Sequence, residues 1–338
     1  MLRSVSSGVE RWPLASPFRI SRGVRTVAEV VAVELRQGTA CGTGEAVPYA
    51  RYGETPDSVL AQIRSIEPAL ADGATRADVA RLLPPGAARN AVDCALWDLE
   101  AALRGVSVGE MLSALPAKPL VTALTVGLDR PEQMGAAAAV LGGAELIKVK
   151  VDADDPESAL RAVRAAAPAA KLIVDPNESW TLPILERVQP LLKELRVTFV
   201  EQPLPASDDA GLQGFEPLVP ICADESCHTA ADLDRLVGRY GMVNIKLDKT
   251  GGLTEALALL DAARDRGFGV MVGCMICTSL SIAPAFHVAA KADFADLDGP
   301  LWLKEDRPGG VRLEHGHLTP PAAGFWGSPV GASAESAR

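Results

Sequence analysis

From about residue 118 the chain repeats one rhythm. Short apolar runs (VTALTVG, ELIKVKV, KLIVD, VTFVEQ, PICAD, MVNIKLD, GVMVGC and FADLD) alternate with stretches such as PEQMGAAAAVLGG, PESALRAVRAAA and TEALALLDAARDRG. The runs have the length of buried strands. The stretches carry apolar residues at three- and four-residue intervals, the period of a helix face. Strand–helix alternation predicts a parallel sheet, and eight apolar runs predict its closure into a βα barrel. The first third reads differently. VVAVELRQ and GTGEAVPY, separated by a turn, predict antiparallel strands, and DSVLAQIRSIEPAL and ARNAVDCALWDLEAALRG predict amphipathic helices. The expected division is an α+β domain over 1–115 and a barrel over 116–304. A segment from about 305 to 338, containing LEHGHL, is expected to return to the first domain.

Composition narrows the function. The chain has 338 residues, 48% of them hydrophobic and 22% charged, enough to bury a large core. A net charge of −10 argues against nucleic acid, whose phosphates require clustered Lys and Arg. No apolar run approaches the ~18 residues that cross a bilayer, so no membrane partner is expected. MLRSVSSGVERWPLASPF lacks the apolar core of a signal peptide. The six cysteines therefore read as reduced thiols in a cytoplasm. A small-molecule substrate is expected, with homo-oligomerisation left open.

Within LIKVKVD, Lys148 and Lys150 are two residues apart, so on a strand both point to one side. Two unpaired ammonium groups in a dry core would be costly. The neighbouring strands suggest a different setting. KLIVD ends in Asp175, VTFVE in Glu201 and PICAD in Asp224. Barrel chemistry sits at the C-terminal strand ends. Three carboxylates at one height suit Mg²⁺, which prefers oxygen ligands and keeps open positions. A single such residue could equally cap a helix; three in succession weaken that alternative. MVNIKLD places Lys246 on the sixth strand, opposite the second, so a substrate between them would meet an ammonium on either side.

Five motifs in this order, IKVK, IVDPNESW, VEQPLP, ADES and NIKLDKTGG, resemble the enolase superfamily in its muconate-lactonizing subgroup, across nearly the whole chain. The resemblance implies an α/β enolase fold: a modified (β/α)7β TIM-like barrel with an α+β capping domain. FADLDGP, with Asp296 and Asp298, resembles the dipeptide epimerases, as do MVGCMICTS and RYGE. In that subgroup such a pair binds a dipeptide's free ammonium group. Two carboxylates suit that charge, and have no obvious use against a purely anionic substrate. One departure is Pro176, where the family usually has a small residue; proline fixes φ and removes an N–H.

The resemblance implies a Mg²⁺-dependent isomerase that inverts the C-terminal residue of L-Ala-D/L-Glu or a related L-Ala-Xaa dipeptide, with a cytoplasmic role in cell-wall peptide recycling. One Mg²⁺ per subunit would sit on Asp175, Glu201 and Asp224 and stabilise an enediolate. Lys150 and Lys246 would exchange the α-proton from opposite sides, with pKa values tuned down to roughly 7–8. Lys148 would supply a like charge and contact the substrate carboxylate. Asn177 and Glu225 would support the metal ligands. Near PFRISRGVR, either Arg22 or Arg25 could fork onto a glutamate side chain. Thr125, Cys274 and Met275 fall where the family contacts substrate. The competing readings are an N-acylamino-acid racemase, an o-succinylbenzoate synthase, a muconate cycloisomerase, and a non-catalytic binding protein on the same barrel. Cys274 and Cys277 form C-x-x-C but lack the partners a zinc or redox site needs. TGGLTE lacks the full phosphate-loop pattern.

Overall fold

The computed structural model describes residues 3–114, 117–314 and 316–327; the expected boundary at 115/116 and the tail 328–338 lie outside them. Three antiparallel strands open the chain, β1 (Ser4–Ile20), β2 (Gly23–Gln37) and β3 (Ala40–Ala46). The helix Ala87–Arg104 packs on this sheet, burying Ala91, Ala95 and Leu99 with Val31, Val33 and Leu35. The G-T-G of β3 permits the approach. A Cβ on Gly42 would stand 2.3 Å from the Ala95 carbonyl oxygen, and one on Gly44 would stand 2.1 Å from that of Ala91.

The short strand β4 (Leu120–Val121) leads into eight parallel strands, β5 (Leu124–Val126), β6 (Leu146–Lys150), β7 (Lys171–Asp175), β8 (Val197–Glu201), β9 (Ile221–Ala223), β10 (Met242–Ile245), β11 (Gly269–Gly273) and β12 (Phe294–Asp296). They pair in chain order, and the outer two meet where Ala123 N–H donates to the Ala295 carbonyl at 2.8 Å. All eight expected apolar runs are strands of this sheet. The helical patterns form as expected over Pro131–Val140, Pro156–Ala166 and Leu253–Asp265. The repeat weakens between β8 and β9, where the connection carries only the 3-10 turn Ala210–Leu212.

Alternation divides the barrel interior into levels. Leu146, Ile173, Phe199, Cys222, Met242 and Met271 form an apolar floor, with Phe199 and Phe294 edge-on at 5.2 Å. Two residues further along their strands stand Lys148, Asp175, Glu201, Asp224, Asn244 and Gly273. The intervening residues, such as Val149, Val174 and Val200, face outward into the helix-packed core.

After β12 the chain returns across the molecule. Lys304 N–H donates to the Pro13 carbonyl, Trp326 Nε1 to the Thr43 carbonyl and Gly327 N–H to Asp98. In between, the hairpin of β13 (Arg312–Glu314) and β14 (His317–Thr319) pairs with β4, at the end of the barrel away from the carboxylates. Two buried carboxylates join the domains. Glu45 accepts from Thr278 N–H at 2.9 Å and from Arg307 at 2.8 Å; Asp248 accepts from Val47 N–H at 2.9 Å and Asn90 Nδ2 at 2.8 Å.

Candidate active site

A cavity of about 430 Å³ opens where the cap meets the C-terminal ends of the strands, within the size range of small-molecule sites. Its wall includes Lys148, Lys150, Lys246, Asp224, Asp296 and Asp298 from the barrel, and Arg22, Arg25, Tyr49 and Tyr52 from the cap. Thr125, Asn177, Glu225, Cys274 and Met275 also face it. Asp175 and Glu201 lie just beneath, 1% and 0% exposed, and reach the cavity through the lysines.

The lysines and carboxylates form one network. Lys148 Nζ lies 3.0 Å from Asp175 Oδ2, 2.7 Å from Glu201 Oε2 and 2.8 Å from Asp296 Oδ2. Lys150 Nζ donates to Asp175 Oδ2 at 2.6 Å, and Lys246 Nζ to Asp224 Oδ2 at 2.7 Å. Strands β6 and β10 stand opposite in the ring, so Lys150 and Lys246 approach the cavity from two sides. This accounts for two lysines on one face of a buried strand: the layer they enter is charged and paired.

Carboxylates dominate the electrostatics at two of the lysines. Burial, the largest single influence, pulls the Lys246 ammonium toward neutrality, but Asp224, Glu201 and Glu225 together outweigh it and the pKa rises. Lys148 is likewise raised, with burial overcome by Asp296, Glu201 and Asp175. Around Lys246 and Lys148 the carboxylates outnumber the like charges, which favours the charged ammonium. The carboxylates diverge among themselves. Asp175 is held low: burial opposes its charge, but Lys150 and Lys148 prevail. Glu201 is pushed up by burial and by Asp175. Burial and Asp296 raise Asp298.

The donor set suits a hard divalent cation, being entirely oxygen. Among the described residues no three acidic side chains already surround one point, because ammonium groups lie between them. Several buried oxygens nonetheless lack a hydrogen-bond partner: Glu201 Oε2 (an ion pair with Lys148 without hydrogen-bond geometry), Glu225 Oε2, Asn177 Oδ1 and Asp296 Oδ1. Buried acceptors left in this state are unusual and fit a site built to receive charge.

The structure separates the two arginines that the sequence left equivalent. Arg22 is committed: it contacts Glu225 at 2.8 Å, Glu178 at 3.1 Å, the Asn177 carbonyl at 3.0 Å and Tyr49 Oη at 3.1 Å. Arg25 makes no salt bridge among the described residues and stacks over the Tyr49 ring at 5.0 Å. At the opposite side, Asp298 Oδ2 accepts from Thr125 N–H at 2.8 Å and from Trp302 Nε1 at 3.3 Å, while Asp296 Oδ1 is buried without a hydrogen-bond partner.

Sequence reasoning passed over several residues. Lys249, fully buried, donates to Asp224 Oδ1 at 2.7 Å, to the Asp224 carbonyl at 2.6 Å and to the Asn244 carbonyl at 2.8 Å, fixing the carboxylate that Lys246 also touches. Asn244 donates to Glu201 Oε1 at 2.8 Å, and Gln202 Oε1 accepts from Asp224 N–H at 2.9 Å. Asn244 could have been found, since it lies two residues before Lys246 on the same strand face.

Comparison with known proteins agrees with this architecture. Residues 3–113 match the mandelate racemase/muconate lactonizing enzyme N-terminal domain, and residues 133–325 match the enolase C-terminal domain-like family. The chain is 50% identical over 319 residues to the L-Ala-D/L-Glu epimerase of Escherichia coli K12, covering 94% of this chain and 99% of that protein. It is 42% identical to an N-acetyl-D-glutamate racemase of a Pseudoalteromonas species, over 88% of this chain and 95% of that one. A solved enolase family member from Agrobacterium tumefaciens, with homology to dipeptide epimerases and with bound sodium and L-Ala-L-Glu, superposes with a TM-score of 0.94 at 49% identity, covering 96% of this chain and all of that one. A dipeptide epimerase from Methylococcus capsulatus, complexed with Mg and L-Arg-D-Lys, gives 0.84 at 31% identity, with 95% and 98% covered. This chain belongs to the enolase superfamily, with both domains of its mandelate racemase/muconate lactonizing branch.

Proposed function

We propose that this protein is a dipeptide epimerase that inverts the α-carbon of the C-terminal residue of L-Ala-D/L-Glu or related L-Ala-Xaa dipeptides. The observation that carries the reading is the placement of Lys150 and Lys246 at the ends of opposed strands β6 and β10, both walling one cavity. One lysine takes the α-proton and the other returns a proton from the far side, so the centre inverts. Asp296, with its unpaired Oδ1, receives the dipeptide's ammonium group, and Asp298 holds the edge of that subsite through Thr125 and Trp302. Arg25, without an ion pair among the described residues, forks onto a side-chain carboxylate of the second residue. Lys148, ion-paired with Asp175, Glu201 and Asp296, orients the reacting carboxylate.

Asp175, Glu201 and Asp224 would hold one Mg²⁺ per subunit. When bound, it supplies positive charge against the negative charge that gathers on the substrate carboxylate as the α-proton leaves. By the same family resemblance we infer a cytoplasmic role in the turnover of cell-wall peptides.

A second reading is favoured by the 42% identity to an N-acetyl-D-glutamate racemase: an N-acyl amino acid in the same cavity, with no ammonium for Asp296. Proton NMR in D₂O separates the two. With Mg²⁺ and L-Ala-L-Glu, the glutamate α-proton signal disappears and a second diastereomer grows. Exchange of N-acetyl-glutamate without exchange of any dipeptide would overturn the epimerase reading.

A further inference from the structure

The loop after β7 carries Asn177 and Glu178 in left-handed backbone, with φ of +47° and +68°. Residues other than glycine adopt this conformation rarely, and runs of it mark places where surrounding structure holds the chain. Here the surroundings come from the cap. Arg22, at the tip between β1 and β2, donates to the Asn177 carbonyl at 3.0 Å and to Glu178 Oε2 at 3.1 Å. Ser21 Oγ donates to the same carbonyl at 3.3 Å. Arg51, on the separate turn Ala50–Tyr52, grips Glu178 bidentately, with both contacts at 2.7 Å. Ala206 N–H donates to Glu178 Oε1 at 2.8 Å, and Glu178 N–H donates to the Gln202 carbonyl at 2.9 Å. One carboxylate thus receives two arginines from two cap loops and an amide from the next barrel loop. Its side chain is 8% exposed, a setting in which charge-assisted, bidentate pairs are strong. Both cap loops line the cavity and carry Arg25 and Tyr49, while Asn177 N–H donates to Asp175 Oδ1 at 2.9 Å on the barrel side.

We infer that Glu178 is a positioning residue: a shared receptor that couples the Ser21–Arg25 loop and the Ala50–Tyr52 turn, so that the two cap loops close over the cavity together. Glu178 does not touch substrate in this scheme. It acts through Arg22 and Arg51, and it leaves Arg25 free to read the second side chain. The effect on catalysis rests on the epimerase reading above; the effect on the loops does not.

The test measures hydrogen–deuterium exchange of the substrate-free protein in segments 18–25 and 49–53, beside the kinetics of L-Ala-L-Glu epimerisation with Mg²⁺. Glu178→Ala is expected to speed exchange in both segments, and to raise KM about tenfold while kcat changes less than about threefold, as loss of a binding-loop contact would. Arg51→Met covers the case in which Glu178→Ala does not fold, and probes the coupling directly. It is expected to speed exchange in 18–25, although Arg51 is not in that segment. Exchange confined to 49–53 in Arg51→Met, or unchanged loops in Glu178→Ala, would overturn the proposal. Loosened loops in a protein that turns over no dipeptide would support the latch and sink the epimerase reading instead.

Discussion

The floor and the mouth of the barrel are built from the same strands, two residues apart, yet they share almost no chemistry. On β7 the inward residues are Ile173 and then Asp175; on β8, Phe199 and then Glu201; on β10, Met242, then Asn244 and, just past the strand, Lys246. Burial does not distinguish the levels, since Phe199 and Glu201 are both 0% exposed. The difference is what each level asks of its neighbours. The floor needs only close packing, which favours the folded state. The mouth holds charges that are costly to bury and tolerable only because every lysine there meets a carboxylate. Stability and function are therefore assigned to different levels of one set of strands, and substitutions at the two levels should fail differently.

The largest effect is expected at the mouth. Lys246→Ala should abolish epimerisation, a loss beyond the roughly 10²–10⁴-fold usual for a general acid–base group, while thermal unfolding shows a folded protein with a cooperative transition. Phe199→Ala should do the reverse. It removes a fully buried ring that packs on Phe294 and should cost about 3–5 kcal/mol in denaturant unfolding, with kcat of the remaining folded enzyme nearly unchanged. If Phe199→Ala lost activity without losing stability, the separation between the two levels would collapse.

A smaller effect sharpens the contrast away from the barrel interior. Burial, followed by the nearby Lys291 charge, holds His287 down to about 4 from an ordinary 6.5. The unfolded chain then binds the extra proton between those values, so this group's contribution is complete above pH 6.5 and is lost as pH falls toward 4. It amounts to about 3 kcal/mol. In His287→Gln the stability curve should flatten across that window; an unchanged slope would contradict the depressed titration. Smaller again, Arg25→Met should reduce kcat/KM for L-Ala-L-Glu by about ten- to a hundredfold and leave L-Ala-L-Phe little affected, the scale of a lost charge-assisted hydrogen bond. Equal losses on both substrates would return the specificity role to Arg22.

How much of this was legible in the sequence follows from how local each signal is. Period-two alternation lies within five residues, so all eight barrel strands and the inward direction of Lys148, Lys150 and Asp175 could be read directly. The helix Ala87–Arg104 was legible from its periodicity. The helix-poor connection between β8 and β9 is marked not by periodicity but by its breakers, Pro203, Pro205, Gly211, Gly214 and Pro217. The surroundings of the lysines depend on contacts that are equally distant in sequence. Sequence showed Lys148 beside Lys150 but not Asp296 beside Lys148, a contact between residues 148 positions apart. The choice between Arg22 and Arg25 also depends on distant partners: Arg22 spends its guanidinium on Asn177 and Glu178, some 155 residues away. Lys249 sat within a quoted motif, but its three acceptors become evident only when β9 and β10 lie side by side.

The central claim is that two lysines on opposed strands serve the two faces of one carbon. Its most direct test is stereospecific deuterium incorporation by Lys150→Ala and Lys246→Ala in D₂O, offered L-Ala-L-Glu and L-Ala-D-Glu separately. The arrangement predicts that neither variant interconverts the two, and that any residual α-proton exchange falls on one diastereomer in one variant and on the other diastereomer in the other. Continued interconversion by either variant, or residual exchange of the same diastereomer by both, would contradict it.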